Sequence, residues 1–227
     1  MIDIHTHLLP GIDDGSRSYE ETERLCKMLK EQGVNSIIAT PHFYADNCDP
    51  TEFLLKRDKA FETIKTLAEE YNIRKGAEVR YFSGIGRSED IEMLTVEHSG
   101  FMLLELTEKR INDFVINDIM QLKMRNIRPI IAHLNRYREF RDDRFIEFCN
   151  INNIPVQINT ECLFSRWTRK RALYLIATGQ VQFLATDCHD CVKRKPDIGE
   201  AIDILRRYLG DEYTDEFIEN EEIIINE

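Results

Sequence analysis

The chain has 227 residues, 42% of them apolar, with 41 acidic against 30 basic residues and a net charge of −11. This is enough for one core of the size of a single α/β barrel, roughly 200–250 residues, so one domain spanning 1–227 is expected. The acidic balance argues against a nucleic-acid partner, no apolar run approaches the roughly 18 residues of a membrane span, and the opening MIDIHTHLLPGIDDG lacks the blocks of a secretory signal, so a cytoplasmic protein without membrane insertion is expected.

Short apolar, β-branched runs alternate with stretches of helical period. Strands are predicted over 2–5, 34–40, 73–81, 101–106, 127–133, 154–160 and 181–186, and helices over 18–32, 50–71, 111–125, 145–152, 168–178 and 198–209. Repeated strand-then-helix units predict a parallel sheet covered by helices. About seven units without a low-complexity linker fit a closed or nearly closed TIM-like barrel, with a doubly wound open sheet as the alternative. In both architectures functional groups belong at the carboxyl ends of the strands.

The strand ends carry His5 and His7, then His42, Glu78, Glu105, His133, and finally Asp187 with His189. The two-residue period of His5-Thr6-His7 places both imidazoles on one side of an extended segment, where they can share a cation. A lone His-x-His on a strand often only makes hydrogen bonds, but five of the six histidines fall at strand ends. His98, in EHSG, precedes a strand and reads as a solvated loop residue. Glu78 and Glu105 lie on the apolar segments GAEVRY and FMLLEL, where an ionised carboxylate needs a metal or an arginine partner.

Four or five imidazoles with several carboxylates exceed one tetrahedral ion and suit two or three bridged ions. Nitrogen and oxygen donors without thiolate favour manganese, iron or zinc. Ions about 3.5–4 Å apart polarise a phosphoryl group and generate a nucleophile near neutral pH, which points to hydrolysis of a phosphate ester. Arg136, three residues beyond His133, presents a planar fork of donors for phosphate oxygens, or else a surface ion pair. The six cysteines are scattered and read as free thiols. Cys188 to Arg194 matches a Cys-x5-Arg pattern and Cys188 to Cys191 a C-x-x-C, but a phosphate cradle needs glycine and this stretch has none, while the C-x-x-C lacks a second cysteine pair.

In order, MIDIHTHLLPGIDDGSRSYEET, ATPHF, GAEVRY, LLEL, AHLNRY and ATDCHD resemble the polymerase and histidinol phosphatase (PHP) superfamily, and within it the bacterial manganese-dependent protein-tyrosine phosphatases of capsule and exopolysaccharide clusters. The resemblance covers essentially the whole chain. It implies a distorted barrel of seven βα units and metal ligation by His5, His7, Asp14, His42, Glu78, Glu105, His133, Asp187 and His189 around a trinuclear centre. It further implies Arg136 and Asp14 as catalytic residues, Arg136 on the substrate phosphate and Asp14, rather than Asp13, bridging or capping a metal. The substrate it implies is the phosphotyrosine tail of a membrane-associated bacterial tyrosine kinase that controls polysaccharide synthesis.

Basic residues after the strand ends (Arg136, Arg138, Arg141, Arg166, Arg169 and 193–195) suit an anionic tail, or form an ordinary solvated surface. The stretch Thr107-Glu108-Lys109 after LLEL and the ending EFIENEEIIINE depart from the family pattern and bear on the rim of the site. Competing readings are a histidinol-phosphate phosphatase of the same superfamily, a polymerase-associated PHP module, and a non-catalytic scaffold that binds a kinase.

Overall fold

The apolar run at the start of the chain forms strand β1 (Ile2–Thr6), buried along its length as a covered parallel strand requires. The computed structural model describes residues 1–106 and 111–222. Its other strands are β2 (Ser36–Ala39), β3 (His42–Phe43), β4 (Ile73–Lys75), β5 (Glu78–Arg80), β6 (Phe101–Glu105), β7 (Arg128–Ile131), β8 (Gln157–Asn159) and β9 (Phe183–Ala185). They pair in parallel in three sheets, ordered β1-β2-β4, β3-β5-β6-β7 and β8-β9. Backbone contacts run between the sheets: Asp187 N donates to His5 O at 2.9 Å, and Ile131 bridges Val156. The result is a mixed α/β fold built on parallel sheets.

One predicted strand is divided, and a short strand lies just beyond the predicted run over 34–40. Pro41 has no N–H to continue a ladder, and beyond it His42 pairs with Glu78 in a different sheet from β2. The run over 73–81 breaks at Gly76 and Ala77, where the chain crosses from β2 to β3. A Cβ on Gly76 would lie 3.0 Å from Ile38 Cγ2 and 3.2 Å from Thr40 Cγ2, so a side chain at the crossing would have to displace these methyl groups slightly.

The helix Tyr19–Glu31 begins where Ser18 accepts from Glu21 N, and buries Leu25, Cys26 and Leu29. The predicted helix over 50–71 is two, Pro50–Thr63 and Lys65–Glu70, separated at the fully buried Ile64. Asp49 caps the first and Pro50 occupies its first turn. Helices Glu161–Phe164 and Asp211–Glu221 were not predicted. A cluster including Ile2, Ile4, Ile38, Leu103, Ile130 and Phe183 draws on all three sheets, so they share an apolar centre. Among the described residues no helix is long and apolar enough to cross a membrane.

Candidate metal centre

β1 delivers His5, and His7 follows just past its end. Their Nε2 atoms lie 3.2 Å apart. Both approach Glu78 Oε2, at 3.3 and 3.2 Å, and Asp187 Oδ1, at 3.5 and 3.4 Å. His42 Nδ1 is 2.8 Å from Glu78 Oε2. His133 Nε2 is 2.7 Å from Glu78 Oε1 and 3.7 Å from Glu105 Oε1. On the outer side, Asp14 Oδ1 lies 3.4 Å from His42 Nε2 and 3.5 Å from His189 Nε2. Three donor sets are compact enough to hold a cation: His7, Asp14, His42 and His189; His5, His7 and Asp187; His42, Glu78 and Glu105. Every ligand position named from the sequence lies in this cluster, His133 joining it through Glu78.

The local backbone is bent to achieve this. His133 (φ 31°) and Asp187 (φ 55°), just beyond β7 and β9, adopt left-handed conformations that non-glycine residues rarely take and that cluster at functional sites. Gly15 is required for a different reason: a Cβ there would overlap the His7 carbonyl, with His7 Cβ only 2.6 Å away. The Asp13-Asp14-Gly15 turn can therefore close on His7 only with glycine at its third position.

The residues fit metal ions. Four buried atoms of the cluster, His42 Nδ1, Glu78 Oε2, Glu105 Oε2 and His189 Nε2, have no hydrogen-bond partner, out of seven such atoms among the described residues. His42 Nδ1 and Glu78 Oε2 are close without hydrogen-bond geometry, as two donors aimed at a third body would be. Electrostatics agree. Burial opposes charge on each group, yet the surrounding imidazoles hold Glu78 and Asp187 well below the usual carboxylate range. Against the same burial, these carboxylates raise the His5 pKa and, with Asp13, hold that of His7 well above its ordinary value. A cavity that pulls protons onto its imidazoles is one that bound cations would neutralise instead. Burial, reinforced by Glu78, raises the Glu105 pKa, while burial and then His7 push His189 down to about 4, leaving its ring neutral and able to ligate.

Several contributors were not singled out from the sequence. Asp13 Oδ2 accepts from His7 Nδ1 at 2.7 Å and from His42 N at 3.1 Å, binding the back of one imidazole and the chain carrying another. Tyr137 Oη accepts from Leu106 N at 3.0 Å and lies 3.1 Å from His133 Nδ1. Arg194, read from the sequence as part of a basic rim and of a dismissed Cys-x5-Arg pattern, places Nη2 2.8 Å from Asp187 Oδ2, beside Arg136 Nη2 at 2.5 Å from the same oxygen. Both arginines are over a third exposed and stand at the edge of the cluster.

Cys188 is fully buried and its thiol pKa is pushed well up by burial. The amides of Val192, Lys193 and Arg194, which an anion cradle would present to phosphate, donate to Asp190 instead. His98 is exposed, its Nε2 3.9 Å from Glu97 Oε1. Thr107, Glu108 and Lys109, and residues 223–227 of the C-terminal stretch, lie outside the described residues.

The family model for capsular polysaccharide synthesis, CpsB/CapC, matches residues 1–226. The chain belongs to the CpsB/CapC family. Among the relatives of this CpsB/CapC protein, the tyrosine-protein phosphatase YwqE of Bacillus subtilis is 26% identical over 235 residues, covering 99% of this chain and 91% of YwqE. The tyrosine-protein phosphatase CpsB of Streptococcus agalactiae is 28% identical over 241 residues, covering 99% and 98%. A crystal structure from the work on YwqE and Streptococcus pneumoniae CpsB, described as unique metal-dependent tyrosine phosphatases, superposes with a TM-score of 0.87. It is 23% identical and the match covers 100% of this chain and 94% of that one, so the fold is shared throughout.

Proposed function

We propose that this CpsB/CapC protein is a metal-dependent protein-tyrosine phosphatase. Its substrate on this reading is phosphotyrosine on the tail of a membrane-associated bacterial kinase that controls capsular or exopolysaccharide synthesis. The observation that carries the reading is the convergence of four unpartnered buried donor atoms, from segments far apart in the chain, on one cavity, in a chain related along nearly its whole length to tyrosine phosphatases.

On this reading His5, His7, Asp14, His42, Glu78, Glu105, His133, Asp187 and His189 hold two or three divalent ions, manganese by preference. Such ions supply Lewis-acid polarisation of a phosphoryl group and a nucleophile at neutral pH. The chain's own residues do the rest. Arg136, and Arg194 beside it, turn their donor forks from Asp187 to the non-bridging phosphate oxygens, neutralising the charge that develops during transfer. Asp14, on the exposed side, closes the metal site where substrate arrives. A tyrosyl phenol, with a pKa of about 10, leaves more readily than an alkyl alcohol, so the site need supply charge neutralisation more than a proton. We further read the three parallel sheets as arcs of one distorted barrel within a single domain, supported by the backbone contacts between them. Six free cysteines suit a reducing, cytoplasmic setting.

The deciding experiment measures phosphate release from a phosphotyrosine peptide and from histidinol phosphate, each with manganese and after chelation. Peptide turnover that requires manganese supports the reading; preference for histidinol phosphate in the same metal would replace it with the amino-alcohol phosphatase. An Arg136→Ala enzyme is expected to retain its metals while losing about 10²–10³-fold in turnover, the usual effect of removing one preorganised charge-stabilising donor. Unchanged kinetics would remove Arg136 from the phosphate site.

A further inference from the structure

Strand β8 ends beside the metal centre without contributing an imidazole or a carboxylate. Its alternation places Gln157 and Asn159 on one side and Ile158 on the other. Both amides are buried, at 0% and 1% exposure, where each polar atom needs a partner. Those partners fix the orientation of both side chains. The His133 backbone N–H can only donate, and it lies 2.6 Å from one amide terminus of Gln157, which must therefore be Oε1. The other terminus is then Nε2, which donates to Asn159 Oδ1 at 2.8 Å. Asn159 is left with Nδ2 facing Asp187 Oδ2 at 3.0 Å. Gln157 Oε1 also faces His5 Nδ1 at 3.3 Å, and because it can only accept, the proton of that bond belongs to His5 Nδ1. His5 Nε2 is the nitrogen turned to Glu78, Asp187 and His7.

We propose that Gln157 and Asn159 are positioning residues of the metal centre, forming a directional hydrogen-bond chain that fixes the His5 tautomer at one end and holds the Asp187 carboxylate at the other. The inference rests on the metal-centre reading above. Its direction is set by one backbone N–H, that of His133, so a single peptide unit determines which His5 nitrogen is free to ligate. Other imidazoles are anchored directly: His7 Nδ1 by Asp13 and His189 Nδ1 by the Asp187 carbonyl. His5 and Asp187 are instead joined through two neutral side chains. An amide relay adds no charge of its own to an already anionic cavity, whereas an aspartate in its place would.

The test uses zinc, which is diamagnetic, as the probe ion on full-length protein labelled with ¹⁵N-histidine. Ring N–H correlations are recorded for the zinc-loaded wild type, Gln157→Leu and Gln157→Glu, and zinc affinity is measured by chelator competition. Thermal melts report whether each variant folds. The expected result is loss of one exchange-protected Nδ1–H correlation in Gln157→Leu, with affinity about 10–100-fold weaker, as for other outer-shell partners of metal-bound histidine. Gln157→Glu keeps two acceptor oxygens and is expected to keep that correlation. If Gln157→Leu folds, retains every ring N–H and binds zinc within about twofold of wild type, the proposal is overturned. It is equally overturned if a folded Gln157→Glu loses the correlation. Neither readout involves substrate, so a chain that binds zinc in this way yet releases no phosphate would sink the phosphatase reading alone.

Discussion

Asp13 and Asp14 are neighbours in sequence with opposite environments. Asp13 is 5% exposed and accepts from His7 Nδ1, Gly15 N and His42 N, and these bonds, led by that from His7, overcome burial to lower its pKa to about 2. Its lone pairs are directed at protein donors, which suits a residue that orients a ligand. Asp14 is 66% exposed, with one oxygen near two imidazole nitrogens, which suits a ligand. Asp14→Asn is therefore expected to lower the number of bound metal ions, whereas Asp13→Asn should keep the number and weaken affinity about 10–100-fold. Metal content after dialysis, with a competition titration beside it, separates the two; the reverse pattern would exchange their roles. Histidines and carboxylates at strand ends were legible in the sequence because an ionisable group on an apolar segment needs a partner there. Gln157 and Asn159 were not, since a neutral amide on a short strand carries no sign in the sequence that it will be buried.

At the scale of elements, periodicity located most strands and helices but not the places where the chain changes sheet. The run over 73–81 is continuous in hydropathy, yet the structure divides it at Gly76 and Ala77, where the pairing partner changes from β2 to β3. The helix Asp211–Glu221 was missed because its buried positions are Thr214, Phe217 and Glu221, an inward face with one large apolar residue. Glu221 is itself informative. Its Oε1 accepts from Leu184 N at 3.0 Å, while Oε2 has no hydrogen-bond partner among the described residues. Burial drives its pKa well above the ordinary value, and Asp3 adds to this, while the Leu184 N–H and the chain's amino terminus oppose it. A raised carboxyl pKa means that the folded state holds the proton more tightly than the unfolded state. The stability it contributes is thus complete below the unfolded pKa, about 4.3, and declines as pH rises from there toward the folded pKa. Glu221→Gln should abolish this decline, melting higher than wild type at pH 8 by about 2–4 °C for each kcal/mol recovered, and gaining nothing at pH 4. Equal pH dependence of the two melts would show that the carboxyl is ionised in the fold.

Across the whole molecule, the candidate metal centre draws on β1, β3, β5, β6 and the segments following β7 and β9, so its residues come from widely separated parts of the chain. His5 and His7 come from the beginning and Asp187 and His189 from near the end, and the two regions are joined directly by the bond from Asp187 N to His5 O. Contacts of such long sequence separation form late, since the loop they close must first be ordered. During synthesis the N-terminal histidines leave the ribosome well before their partners exist. The full donor set therefore cannot assemble until Asp187 and His189 have been synthesised and have docked onto β1, and on the metal-centre reading loading follows that docking rather than the emergence of the two histidines.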